Sequence, residues 1–246
     1  MEILTYTSRN EMGIAAASMV ADKVRDLQQS KPLIYMMFAA APSQLDFLDA
    51  FVQEELNWKG IIAFHMDEYI GLPESHPASF RNFLNRHLFG KVEFGAVHLI
   101  NGDSSDAQME AERYAALLEA HPPDIICLGI GENTHLAFND PHVADFNDPV
   151  LVKRVDLDLA CRQQQVNDGC FKQMNEVPEY ALTVTLPGLY RGQFLYCMVP
   201  GKNKAKAVYQ TMMQEISPIF PSTLLRMHPQ VVLFLDEQSA TLLPSK

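Results

Sequence analysis

Short, continuous apolar runs alternate along this chain with longer stretches in which apolar residues recur every three or four positions. "NEMGIAAASMVADKVRDLQQ", "PSQLDFLDAFVQEE" and "KNKAKAVYQTMMQE" carry the helical spacing. "PLIYMMFA", "GIIAFHMDEY", "DIICLGIG", "EYALTVTL", "QFLYCMVP" and "QVVLFLD" read as strands buried on both sides. Strands of that kind separated by helices predict an α/β fold: an open, doubly wound, mainly parallel sheet with helices on both faces, a modified Rossmann-like architecture. No Ser/Gly-rich linker, charge block or internal repeat divides the chain, so one domain over residues 1–246 is expected. Ligands of such sheets bind beyond the carboxyl ends of the strands, where the strand order reverses. Functional residues are therefore sought directly after the apolar runs.

Composition narrows the partners. A chain of 246 residues buries a substantial core. Its net charge of -11 argues against nucleic acid and anionic membranes as partners, while a pocket with a few local donors still takes a small anion. The start, "MEILTYTSRNEMG", has no basic region followed by an apolar core, so no secretory signal is read there. The longest apolar run, "LIYMMFAAAP", is far short of the roughly 20 residues that span a bilayer. The four cysteines, Cys127, Cys161, Cys170 and Cys197, lack C-x-x-C spacing, which suits reduced thiols in the cytoplasm.

Four segments carry candidate chemistry. In "FAAAPSQLDF" small residues run into a helix start, where backbone N–H groups meet an anion and the Ser43 hydroxyl adds a donor. No Walker-type glycine–lysine loop is present. "FHMDEYIGLP" sets Asp67 and Glu68 together at the end of a buried strand; either a burial-tuned base or a loop-capping acid accounts for them. In "LGIGENTHLAFNDP", Gly129 and Gly131 permit a tight turn, and His135 followed by Asp140 suits a carboxylate-oriented imidazole. His135, Asp140 and His142 do not match a known ligand spacing, so no metal is expected. Finally, "VPGKNKAKAV" offers Lys202, Lys204 and Lys206 at a helix start, where one lysine holds a phosphate or all are solvated.

"MDEYIGLP", "GIGENTHLAFNDP", "VPEYALTV" and "VPGKNKAKA", in that order and spacing, resemble the glucosamine-6-phosphate deaminase/isomerase family, which is related to the 6-phosphogluconolactonases. The resemblance runs nearly the whole length, and the "AFNDP" ending favours the deaminase branch. It implies conversion of glucosamine 6-phosphate and water to fructose 6-phosphate and ammonia, with no metal or organic cofactor. By the same resemblance Asp67 is the base at C2 and His135 opens the pyranose ring. Asp140 stands where the family usually has Glu and orients the His. Ala40, Ala41, Pro42 and Ser43 match the phosphate loop, beside Gly131 in the glycine turn, and Lys204 matches the phosphate lysine. A small sugar phosphate is the implied partner, and a homo-oligomer stays open.

The chain also departs from the family pattern. Asn133 and Thr134 replace a common Asp and Gly. Asn133 is expected to hydrogen-bond the imidazole without offsetting an imidazolium charge. "AAAPSQ" lacks the usual hydroxyls and glycines, and Pro42 has no N–H. "CRQQQVNDGCF" lacks the usual phosphate arginine, for which Arg162 is the nearest replacement. Two alternatives accompany the deaminase. One is a relative acting on galactosamine 6-phosphate or on 6-phosphogluconolactone. The other is a catalytically weakened sugar-phosphate-binding protein.

Overall fold

A computed structural model describes residues 1–244. The first half of the chain forms β1 (Glu2–Tyr6), α1 (Arg9–Gln28), β2 (Ile34–Phe38), α2 (Leu45–Phe51), β3 (Ile61–His65), β4 (Asp67–Tyr69), α3 (Phe80–Leu84), β5 (Ala96–His98) and α4 (Ala107–Ala120). The second half forms β6 (Ile125–Leu128), β7 (Val152–Asp156), α5 (Leu159–Asn167), β8 (Tyr180–Val184), α6 (Leu186–Tyr190), β9 (Phe194–Val199), α7 (Ala205–Met213) and β10 (Val231–Asp236).

Seven strands make the main sheet in the order β1-β10-β9-β6-β2-β3-β5, and every neighbouring pair is parallel. Alternate residues feed two cores, because successive strand side chains point to opposite faces. Met36, Phe38, Ile125 and Cys127 pack with Met12, Ala16 and Val20 of α1. Met37, Ile126 and Leu128 pack on the other face with Tyr114 of α4 and Val208 of α7. The mainly parallel sheet clothed on both faces is thus as the apolar runs predict.

Two of those runs behave differently from the expectation. "GIIAFHMDEY" is not one strand. It leaves the parallel sheet after His65 and re-enters structure at Asp67 as β4 of a separate antiparallel sheet, ordered β4-β8-β7. "EYALTVTL", as β8, is the middle strand of that small sheet. The break is fixed by hydrogen bonds that periodicity does not encode. The Tyr114 hydroxyl donates to the His65 carbonyl at 2.8 Å, and Met66 O accepts from Val184 N, also at 2.8 Å. Strands β1, β5 and β7 lie outside the predicted runs and are among the most exposed strands of the fold.

The winding of the main sheet determines where a ligand binds. From β2 the chain steps outward to β3 and β5; from β6 it steps the other way to β9 and β10. The direction reverses between β2 and β6, and the crevice beyond their carboxyl ends is the expected binding position. The segments after β2, β3, β6 and β9 are the candidate segments of the sequence.

Candidate active site

The segments after β2, β3, β6 and β9 surround one cleft with about 500 Å³ of empty space. Ala40, Ala41 and Ser43 line it from β2, Asp67 from the β3–β4 break, Gly131 and His135 from the loop after β6, and Lys204 from the loop after β9. Asn133 and Asp140 do not line the cleft and stand behind His135.

The two acids of "MDEY" separate cleanly. Glu68 is fully buried and saturated with donors. Ser79 Oγ, the N–H groups of Tyr69, Phe80 and Arg81, and the Arg81 guanidinium all reach it at 2.9–3.1 Å. It ties β4 to the start of α3 and does not line the cleft. Asp67 is buried too, yet among the described residues no hydrogen bond occupies its side-chain carboxylate, which borders the cleft. Burial, reinforced by the charge of Glu68, raises its pKa well above the ordinary carboxylate value. A buried, unoccupied, unusually basic carboxylate is suited to take a proton from carbon.

The loop after β6 holds the imidazole by close contact. A Cβ on Gly131 would fall 2.2 Å from Nε2 and Cε1 of His135, so only glycine lets the ring lie against the turn. The ring's Nδ1 stands 2.9 Å from Oδ1 of Asp140, at ion-pair distance with the N–H direction off the hydrogen-bond axis. Such alignments commonly tighten only when substrate binds. Burial alone would raise Asp140. The charge of His135 beside it and the hydrogen bond from Asn133 bring it below its ordinary value. Further along, the Asn139 side chain donates to the carbonyls of Leu136 and Val184 at 2.8 Å, pinning the loop to β8.

Asn133 occupies a different place from the expected one. Its Nδ2 donates to Oδ1 of Asp140 at 2.9 Å, and its Oδ1 accepts from the His135 backbone N–H at 3.1 Å. It braces Asp140 and does not touch the imidazole. Asn133→Asp therefore sets two carboxylates in contact and makes them share a proton. We expect the variant to lose thermal stability relative to the parent at pH 8 and to recover most of it near pH 4, where one acid is protonated, as followed by circular dichroism.

Thr134 and Ala137 hold positive φ, 70° and 50°. For a β-branched residue this is a strained conformation, and the Thr134 hydroxyl is buried without a partner. Both costs exceed the entropy that a glycine adds to the unfolded chain. Thr134→Gly is expected to stabilise the fold by about 1 kcal/mol, a rise of about 2–4 °C in Tm by calorimetry.

Lys204 is the buried member of its lysine trio, while Lys202 and Lys206 are exposed. Gly201, with φ at 98°, turns the chain so that the lysine enters the cleft, and Asp236 accepts from its N–H at 3.0 Å. Burial lowers the Lys204 pKa, opposed by the charges of Asp168 and Glu132. Arg162 does not supply a second cation to the cleft. Its guanidinium donates to the carbonyls of Met174 and Val177, tying α5 to the segment before β8. Gln164 and Gln165 line the cleft instead, with Gln44, Met66 and Phe80, none of which the sequence singles out. The string "QQQ" carries no spacing or charge that would mark it. Potential metal donors cluster among the described residues as His135, Asp140 and Cys161, which include the relay, and as Asp140, His142 and Asp158, of which His142 and Asp158 reach solvent.

A family model of glucosamine-6-phosphate isomerases and 6-phosphogluconolactonases matches residues 7–233. The chain belongs to that family. Among relatives, the glucosamine-6-phosphate deaminase of Streptococcus sanguinis is 31% identical, with 99% of each chain covered. That of Thermoanaerobacter pseudethanolicus is 28% identical over 100% of this chain and 96% of its own. A solved monomeric glucosamine-6-phosphate deaminase superposes with a TM-score of 0.91 at 26% identity, covering 98% of this chain and 100% of that one. A 6-phosphogluconolactonase from Trypanosoma brucei, at 17% identity and TM-score 0.81 over 99% and 98% of the two chains, shares the fold. In this chain a carboxylate, an imidazole with a carboxylate behind it, a buried lysine and two glutamines meet at one cleft.

Proposed function

We propose that this protein, folded as one domain, converts glucosamine 6-phosphate and water to fructose 6-phosphate and ammonia. The observation that carries the reading is the unoccupied Asp67 carboxylate sharing a cleft with His135, while Lys204 closes another side. Lys204 and the N–H groups around Ala40, Ala41 and Ser43 take the phosphate, which anchors the sugar away from the reacting carbons. His135, backed by Asp140 and Asn133, moves the proton between ring oxygen and anomeric hydroxyl that opens the pyranose. In the open aldehyde the C2 hydrogen is acidic because it lies next to the C1 carbonyl. Asp67 removes it, an enolamine forms, and the proton returns to C1. The resulting C2 imine adds water, and the adduct collapses to the ketone as ammonia departs with a proton.

No step requires a metal or organic cofactor. No helix among the described residues is long and apolar enough to cross a membrane, and a cytoplasmic site of action with reduced thiols suits a small-molecule metabolic enzyme. The base is tested with glucosamine 6-phosphate carrying deuterium at C2. The reading expects a primary isotope effect on turnover and deuterium appearing in part at C1 of the product. Ammonia release with the C2 deuterium retained would remove Asp67 from this role.

A further inference from the structure

Three glutamines line the cleft, and two of them are engaged by the fold. Gln44 donates to the Met198 carbonyl at 3.1 Å. Gln164 accepts from the Glu132 N–H at 2.9 Å and donates to Asp168 at 3.3 Å. Gln165 is different. It is only 8% exposed, yet among the described residues neither polar atom of its side chain has a hydrogen-bond partner, and neither is sealed from solvent. A largely buried amide left unpaired is costly, and in a cleft the group that pairs it is a ligand.

The place of Gln165 along the cleft is fixed by its neighbours on α5. Cys161, one helical turn earlier on the same face, has its sulfur within 4.8 Å of a ring nitrogen of His135 and a carboxylate oxygen of Asp140. On the other side, Gln164 holds the N–H of Glu132, whose carboxylate accepts from the Asn203 side chain at 2.8 Å, and Asn203 adjoins Lys204. Gln165 therefore stands between the imidazole and the lysine. On the deaminase reading, on which this inference rests, Asp67 and His135 hold C2 and C1 of the sugar while Lys204 holds the phosphate on C6. The carbon midway between C2 and C6 is C4.

We infer that Gln165 is a specificity-determining residue that reads the hydroxyl on C4 of the sugar. Its amide carries a donor and an acceptor, and a hydroxyl offers both in return. A phosphate oxygen would use only the amide nitrogen and would set the amide oxygen against an anion. Inverting C4, as in galactosamine 6-phosphate, turns the hydroxyl away and leaves the amide unpaired, so Gln165 is also where the protein separates the two amino sugars.

Binding of an unreactive ligand tests the assignment without turnover. In 2-amino-2-deoxyglucitol 6-phosphate the aldehyde of the open-chain substrate is reduced, and its 4-deoxy counterpart lacks only the C4 hydroxyl. By calorimetric titration of the full chain, the parent is expected to bind the first about 30-fold more tightly than the second, and Gln165→Leu to bind the two within about threefold. Leucine is close to glutamine in volume and removes no hydrogen bond of the fold, and the ratio within each protein cancels a general loss of affinity. With substrates, the preference in kcat/KM for glucosamine 6-phosphate over galactosamine 6-phosphate is expected to shrink about tenfold in the variant. A binding ratio that Gln165→Leu leaves unchanged, or a parent that does not distinguish the two alditols, would overturn the assignment and leave the deaminase reading standing. A parent that binds neither compound would overturn both.

Discussion

Asp67→Asn is expected to lower kcat on glucosamine 6-phosphate by about 10³-fold and, at the same time, to raise the melting temperature at pH 8. Both effects follow from one fact. Asp67 is buried beside Glu68 with no hydrogen bond occupying its carboxylate, so its pKa in the folded chain lies well above the ordinary 3.8. Below pH 3.8 the acid is protonated in folded and unfolded chains alike, and it costs nothing. As the pH rises, the unfolded chain releases the proton while the folded one retains it. Stability is lost until the folded carboxylate itself ionises, and above that pH the penalty is constant. The asparagine variant escapes this penalty, so its gain in Tm is small at about pH 3, below the ordinary carboxylate pKa, and larger at about pH 8. Calorimetry across that range, alongside steady-state kinetics, separates a strained functional acid from a structural one. Glu68→Gln is the contrast: its ring of donors serves the fold, so substitution destabilises.

Lys204→Met should raise KM by about 10- to 100-fold and leave kcat within a few-fold of the parent. The Lys204 ammonium is the only cationic group among the residues lining the cleft, and Arg162, tied to two backbone carbonyls, cannot stand in for it. A contact made equally in ground and transition states changes KM rather than kcat. Burial depresses the Lys204 pKa below its ordinary 10.5, so carrying the charge costs stability at neutral pH. That cost fades as the pH rises through the folded pKa towards 10.5. The methionine variant is accordingly expected to melt higher than the parent at pH 7 and to lose that advantage in alkaline buffer. A KM unchanged by the substitution would take the phosphate away from Lys204.

The general course of the fold is legible in the chain because parallel strands buried on both faces leave continuous apolar runs, as in "LIYMMF" and "VVLFLD". The points where hydrogen bonding overrides periodicity are less legible. Nothing in "GIIAFHMDEY" tells that the Tyr114 hydroxyl and β8 claim opposite sides of Met66 and split the run into two sheets. The split matters, because it swings Asp67 out of the parallel sheet and into the cleft while Glu68 turns towards α3. Among the candidate site's charged and ring-bearing members, His135 and Asp140 are legible as a pair in the motif, whereas Asp67 over Glu68, and Lys204 among three lysines, are picked out by the family resemblance. The site's amide members are picked out by neither. Gln44 enters the wall by bonding the carbonyl of Met198, 154 positions away, and Gln164 by accepting from the Glu132 N–H, partners that no local pattern announces. Asn133 shows the same limit, since which carboxylate it braces depends on how a strained turn folds back on itself.

The most direct measurement follows ammonia and fructose 6-phosphate together, in one reaction started with glucosamine 6-phosphate and the purified full chain. The two products are expected in equal amounts, at a rate that Asp67→Asn removes. Ketose formed without ammonia, or tight binding of the sugar phosphate with neither product, would contradict the deaminase reading.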